Sequence, residues 1–222
     1  CINASGRLDT AARSLALLNA KTKEEAARLA GDLTALNQSR KALTEKGKEE
    51  AIRIIEATEL KNDRVLVVYL PDCHESLAGI IAGRIREKYH RPAFVLTGGE
   101  TSAKGSGRSI ESYSMYEELV KCADLMIQFG GHPMAAGLSI EEKNIEEFRR
   151  RLNVNCTLTD EELRPKIVID VPMPVSYITK ELVEQISLLE PFGKGNTKPV
   201  FAQKNLRVLD HSIIGKNKNV VK

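Results

Sequence analysis

Two short stretches carry residue types suited to holding an anion. They are Gly105-Ser106-Gly107-Arg108-Ser109 and, further along, Gly130-Gly131-His132. Glycine reaches positive φ at little cost and lets backbone N–H groups approach a charged ligand closely. Arg108 adds a planar fork that can grip a phosphate at two points, with the Ser106 and Ser109 hydroxyls beside it. The chain opens on a third group of this kind, Cys1-Ile2-Asn3-Ala4-Ser5-Gly6-Arg7. Read as turns, these segments would converge on a phosphate with no metal between them. His132 could donate to a phosphate oxygen or move a proton near neutral pH. Plainer readings exist for each: an ordinary turn with a solvated arginine, and a glycine helix cap followed by a surface histidine.

The elements that must position these residues follow from periodicity. Thr22 to Ala57 reads as one long helix or a slightly broken pair, with Leu29, Leu33, Leu36 and Leu43 at helical spacing. Thr22 supplies an N-cap, Glu24 and Glu25 first-turn acids, and Gly47 a weak point in the middle. Val65–Leu70 and Ala93–Leu96 read as buried strands, with a helix from Ser76 to Tyr89 between them and Ser76 as its N-cap. Tyr116–Leu125 and Glu142–Leu152 read as helices flanking a strand at Ala135–Ile140. Strands alternating with helices indicate an α/β domain. Beyond it come a strand at Ile167–Ile169, a helix at Lys180–Leu189, and strands at Val200–Ala202, Leu206–Leu209 and Ile213–Ile214, with Val220–Val221 at the end. This pattern suggests an incomplete small β-barrel.

With 222 residues, 42% hydrophobic and 28% charged, the chain has the composition of a soluble globular protein with one large domain or two small ones. It has no apolar run of the roughly 20 residues a membrane helix needs. It starts inside a motif and without methionine, which predicts a piece of a longer protein. The net charge of +3 demonstrates no polyanion partner by itself. Four scattered cysteines, Cys1, Cys73, Cys122 and Cys156, form no C-x-x-C pair and read as free thiols in a reducing compartment. Several enzyme motifs are excluded. His74-Glu75 lacks the second histidine of a zinc protease, because position 78 is Ala78. Gly193-Lys194 is followed by Gly195 and forms no Walker loop, and Gly105-x-Gly107 lacks the third glycine of a dinucleotide fingerprint. Phe192 and Phe201 could stack bases or simply fill a core.

Taken in order, Asn3-Ala4-x-Gly6-Arg7, His74-Glu75-Ser76, Gly105 to Ser109, Gly130-Gly131-His132, Leu189-Glu190-Pro191-Phe192-Gly193-x-Gly195-Asn196 and Pro199-Val200-Phe201 resemble the RecJ family of bacterial single-stranded-DNA exonucleases. The resemblance covers nearly the whole chain. It implies an α/β fold: a DHH-associated α/β domain with a mixed sheet, preceded by a long connector helix and followed by a truncated OB-type β-barrel. The implied division is 1–20 as the end of the DHH catalytic lobe, 21–60 as connector, 61–155 as the substrate-binding α/β domain, and 160–222 as a partial OB-type nucleic-acid-binding domain. The implied activity is metal-dependent 5′→3′ hydrolysis of single-stranded DNA in the cytoplasm, for recombination and repair. Repair proteins are further candidate partners, and no membrane is involved. Substrate contacts are implied for Asn3, Arg7, His74, Arg84, Gly105, Ser106, Gly107, Arg108, Ser109, Gly130, Gly131 and His132. For His74 and Arg84 a structural role competes. Mn²⁺ or Mg²⁺ would be bound by a lobe absent from this chain, since His74, His90, His132 and His211 form no cluster with carboxylates and Asp-His-His does not occur. No catalytic residue is expected here, His132 being the one candidate, so the chain alone should be inactive. Two alternatives stand beside this reading: a DHH-family oligoribonuclease or cyclic-dinucleotide phosphodiesterase, and a non-catalytic nucleic-acid-binding scaffold.

Overall fold

The chain divides into two compact units, Cys1–Pro165 and Lys166–Lys222. The computed structural model describes residues 2–215, 218, 220 and 221, so Cys1, expected as a free thiol, and Lys222 lie outside the described residues. Cys73, Cys122 and Cys156 are free.

The first unit starts with two short helices, α1 (Ile2–Leu8) and α2 (Ala12–Leu18). Between them the buried hydroxyls of Ser5 and Ser14 lie 2.7 Å apart, beside the Ile2 carbonyl. The long helix α3 (Lys23–Ala57) follows, roughly 50 Å from end to end. Thr22 caps it, its hydroxyl accepting from the Glu25 N–H at 3.2 Å. The leucine stripe is only partly inward: Leu33 is buried, but Leu43 is exposed. Thr44 goes inward in its place, its hydroxyl donated to the Arg40 carbonyl. Gly47 is more than a weak point. A Cβ there would stand 2.6 Å from Ile81 Cδ1, so the glycine lets α3 pass close to the next helix.

The sheet then forms from β1 (Leu66–Leu70), β2 (Ala93–Thr97), β3 (Ala103–Arg108), β4 (Met126–His132) and β5 (Ala135–Ile140), in spatial order β1-β2-β3-β5-β4. Only β1 and β2 run parallel, joined by the crossover helix α4 (Glu75–Tyr89); the remaining pairs are antiparallel. The apolar runs in β1 and β2 are buried on both faces. On one side Leu66, Val68, Ala93 and Val95 meet Leu77, Ala78, Ile81 and Ile85 of α4, with Ala51 and Ile55 of α3 behind. On the other, Val67, Phe94 and Leu96 meet α5 (Met115–Val120) and α6 (Ile145–Val154) through Met115, Leu119, Phe148 and Leu152. Phe94 and Phe148 pack edge to face at 5.4 Å.

Several boundaries differ from expectation. The His74 ring, and not Ser76, caps α4: Nδ1 accepts from the Ser76 N–H at 3.3 Å and lies 2.8 Å from the Ser76 hydroxyl. The helix expected over Tyr116–Leu125 ends at Val120 and resumes as a 3₁₀ turn at Ala123–Leu125. The one expected from Glu142 likewise begins as a 3₁₀ turn. Most important, both glycine-rich motifs lie in strands, not turns. Apolar neighbours on β2 and β5 and continuous ladder pairing outweighed the weak strand propensity of glycine.

The second unit contains β6 (Val171–Pro172) parallel to β7 (Phe201–Ala202), the helix α7 (Lys180–Ser187) capped by Thr179, and β8 (Ile213–Ile214) antiparallel to β9 (Val220–Val221). Ile167–Ile169 and Leu206–Leu209, expected as strands, are not; β-branched and apolar content makes a strand only where a partner ladder exists. Phe192 and Phe201 are half-buried. The Leu189–Asn196 motif closes on itself, because the Asn196 side-chain amide donates to the carbonyls of Leu189 (2.7 Å) and Pro191 (3.1 Å).

Candidate nucleic-acid interface

Strand β3 separates the motif residues onto two faces by its period of two. Ala103, Gly105 and Gly107 look into the core, while Lys104, Ser106 and Arg108 look the other way, beneath α4. The two core-facing glycines do not cradle an anion. A Cβ on Gly107 would lie 2.5 Å from Met115 Sδ and 2.6 Å from Phe94 Cε1; one on Gly105 would lie 3.0 Å from Leu138 Cγ. Their N–H groups belong to a ladder in which Gly105 pairs with Leu96 and Leu138, and Gly107 with Phe94 and Ala136. The expectation of φ > 0 for these two is corrected: they are glycine because the core leaves no room for a side chain. Ser109 also turns inward. It is 1% exposed and its hydroxyl donates to the Tyr113 carbonyl at 2.6 Å, which fixes the turn after β3.

The polar face carries the chemistry. Across β3, β5 and β4, Arg108 pairs with Ala135 and then His132, while Ser106 pairs with Gly137 and then Gly130. With strands about 4.8 Å apart, Arg108 and His132 stand roughly 10 Å from each other along one row. Helix α4 covers β2 and β3 but not the outer pair, so the side-chain-free floor of Gly130 and Gly137 stays open. A depression of about 490 Å³ lies over it, bounded by Ser76, Lys104, Ser106, Gln128 and Ser139. Gly131 does adopt positive φ, at 153°, where a Cβ would collide with the Ala135 carbonyl and Ala136. The turn itself is Pro133-Met134, held by N–H donors from Met115 and Ser109. His132 ends β4 exposed to solvent.

Arg108 has two other arginines near it, Arg7 and Arg86, the latter paired with Glu87 at 3.5 Å. Arg108 lies half-buried along α4, its Nη1 donating to the Gly107 carbonyl at 2.7 Å. Burial, then the nearby charges of Arg7 and Arg86, hold its pKa below the ordinary arginine value. Arg7 reaches α4 from α1, donating to the Ser76 carbonyl at 2.8 Å, and Asn3 lies one turn before it on the same helix. Among the described residues no carboxylate pairs with Arg7 or Arg108. Lys104, by contrast, meets Glu75 at 2.5 Å. Arg84 stands apart: one residue on from Gly83, it points about 100° around the helix and pairs with Glu87 at 2.9 Å. His74 serves as the helix cap described above.

The structure therefore brings together Arg7, Ser106, Arg108, Gly130 and His132 along one face. Beside them lie Ser76, which the sequence offered as a helix cap, and Gly137, whose small run Ala135-Ala136-Gly137 suggests close backbone approach; Lys104, Arg86, Gln128 and Ser139 are additions that sequence reasoning did not single out. Alternation in Ala103–Arg108 was the available signal for Lys104. Nothing local marked Arg86. Among the described residues no group of three or more His, Cys, Asp or Glu side chains is placed to hold a metal ion, and the donors present do not fit one.

Residues 62–156 match the DHHA1 domain model, and residues 169–222 match that of the RecJ OB domain. Over its full length the chain is 36% identical to the single-stranded-DNA-specific exonuclease RecJ of Bacillus subtilis, and over 96% of its length 35% identical to that of Escherichia coli. The chain belongs to the RecJ family. It spans 28% of the first of these RecJ proteins and 39% of the second. The crystal structure of Thermus thermophilus RecJ in complex with Mn²⁺ superposes with a TM-score of 0.77 at 30% identity, covering 91% of this chain and 30% of that one. The same protein is also known in complex with Mg²⁺, at a TM-score of 0.76. The mixed α/β fold with a DHHA1 domain and an OB domain is thus the RecJ arrangement. No helix among the described residues is long and apolar enough to cross a membrane.

Proposed function

We propose that this chain is the substrate-holding part of a single-stranded-DNA-specific exonuclease that hydrolyses phosphodiester bonds 5′→3′ in the cytoplasm, during recombination and repair. The observation that carries this reading is Arg108: a half-buried cation with Arg7 and Arg86 nearby and no carboxylate partner among the described residues. A desolvated charge without a counter-ion is unfavourable, and an arriving anion relieves it. A guanidinium fork matches a phosphate oxygen pair, and the bare glycine floor next to it admits a backbone that a side chain would block.

In this reading, residues 1–20 end the metal-bearing lobe, 21–60 connect it, 61–155 hold the strand's phosphates, and 160–222 bind further along the nucleic acid. Asn3, Arg7, Ser106, Arg108 and His132 contact the substrate, with His132 donating to a phosphate oxygen and not acting as general acid or base. The divalent ion, Mn²⁺ or Mg²⁺, would be held by residues outside this chain, and its chemistry is to activate water and stabilise the leaving oxygen. What these residues contribute is orientation, which can account for several kcal/mol of barrier reduction. Fluorescence anisotropy of the chain with single-stranded DNA, with and without a 5′ phosphate, tests the reading across a salt series. Binding that weakens with salt and favours the phosphorylated end is the expected result. Absence of binding at low salt would overturn the preformed phosphate site.

A further inference from the structure

Helix α4 carries two glycines one turn apart, Gly79 and Gly83, on the side turned to Arg108. Glycine inside a helix is disfavoured relative to alanine, so its presence in the second turn of a 15-residue helix calls for a reason. At Gly79 the reason is measurable. A Cβ there would stand 2.8 Å from Arg108 Nη2, 3.3 Å from Cζ and 3.5 Å from Nη1. At Gly83 it would stand 3.9 Å from Arg108 Cγ, an ordinary contact. The two glycines thus differ: the guanidinium, Nη2 foremost, occupies the space that Gly79 leaves empty, while Gly83 meets only the stem.

We propose that Gly79 is a positioning residue for Arg108: the missing side chain forms a seat that aims the guanidinium plane at the phosphate. The inference rests on the phosphate reading given above. The seat has two sides. The Gly107 carbonyl holds Nη1 at 2.7 Å from the sheet, and the bare backbone of α4 at Gly79 receives the opposite edge. Arg7 and Arg86 add positive charge nearby, and among the described residues no carboxylate pairs with the group. A methyl group at position 79 would leave the helix intact and even favour it, yet would push the guanidinium out of its plane. Because the displaced atoms are the far end of a flexible side chain, the expected damage is to aim and not to folding.

The experiment compares Gly79→Ala, Gly83→Ala, Arg108→Ala and the Gly79→Ala/Arg108→Ala double variant of the whole chain. It reads affinity for a 5′-phosphorylated single-stranded oligonucleotide by anisotropy, with thermal unfolding alongside. The expected result is roughly tenfold weaker binding for Arg108→Ala, most of that loss for Gly79→Ala, and wild-type binding for Gly83→Ala. The double variant should bind no worse than Arg108→Ala alone, since two changes acting through one group do not add. Gly79→Ala should melt at or above the wild-type temperature. Arg108→Lys supplies a rescue: an ammonium has no plane to seat, so adding Gly79→Ala to it should change nothing further. Wild-type affinity in Gly79→Ala, additive losses in the double variant, or a Gly79→Ala chain that melts far below wild type would each overturn the seat. If Arg108→Ala itself binds like wild type, the phosphate reading falls and the seat with it; if only Gly79→Ala does, the seat alone falls.

Discussion

On the face of the sheet that looks into the core, Gly105 and Gly107 lie beneath Leu96, Leu138, Phe94 and Met115; on the opposite face, Gly130 and Gly137 lie under open space. A Cβ on Gly130 would meet nothing within 4 Å, and one on Gly137 only the Gly105 carbonyl oxygen at 3.7 Å. The same residue type therefore answers two demands. On one face it makes room for large apolar side chains, and on the other it keeps a floor clear beside Lys104 and Ser106. Register connects the two: Gly107 and Arg108 are consecutive, so the residue that admits Phe94 is followed by the one that lies against α4.

Changes on the two faces should separate folding from binding. The largest effect is expected for Gly107→Ala, which drives a methyl group into Phe94 and Met115. Equilibrium urea unfolding should show a loss of about 3 kcal/mol, the upper end of what overpacking costs. An unchanged midpoint would mean that the core face is not filled as described. Next comes Arg108→Ala, which should weaken single-strand binding by roughly 1–3 kcal/mol while leaving stability unchanged or slightly raised. A stability loss as large as the binding loss would erase the contrast between the faces.

Gly130→Ala sharpens the comparison further. The position is open, so the chain should tolerate the methyl group or gain up to about 0.5 kcal/mol from reduced backbone freedom. Binding should nonetheless fall a few-fold if a nucleic-acid backbone rests on that floor, which the same anisotropy titration reads. The smallest effect belongs to the rim. Glu75→Gln removes the carboxylate facing Lys104, and affinity for single-stranded DNA should rise about twofold at low salt, with the gain vanishing at high salt. A gain that persists at high salt would point to a shape change instead of freed charge.

Much of the scaffold was legible beforehand. Apolar runs marked β1 and β2, Thr22 with two following acids marked the start of α3, and alternating strands and helices gave the α/β class. Legibility failed where a residue's role depends on what lies opposite it. Leu43 fits the helical stripe yet faces solvent, and Thr44 next to it is buried because its hydroxyl can satisfy itself on the Arg40 carbonyl. Ile167–Ile169 reads as a strand and has none, since propensity is not pairing. Ser109 looked like a ligand to phosphate and is a buried turn bond to Tyr113.

The sequence by itself determined which chemistry was available: a guanidinium and hydroxyls at Ser106 and Arg108, a histidine at 132, and glycines around them, in an order that marks the RecJ family. Those are properties of residue type and spacing, and they survive any change of neighbours. Only the tertiary structure decided that Gly105-x-Gly107 is a strand packed against Phe94 and Met115, that Arg7 of α1 and Arg86 of α4 come near Arg108, and that Gly79 leaves space for its guanidinium. Each of these depends on chain segments far apart in sequence meeting across a sheet, and excluded volume and charge act through that distance in space, which no local pattern records.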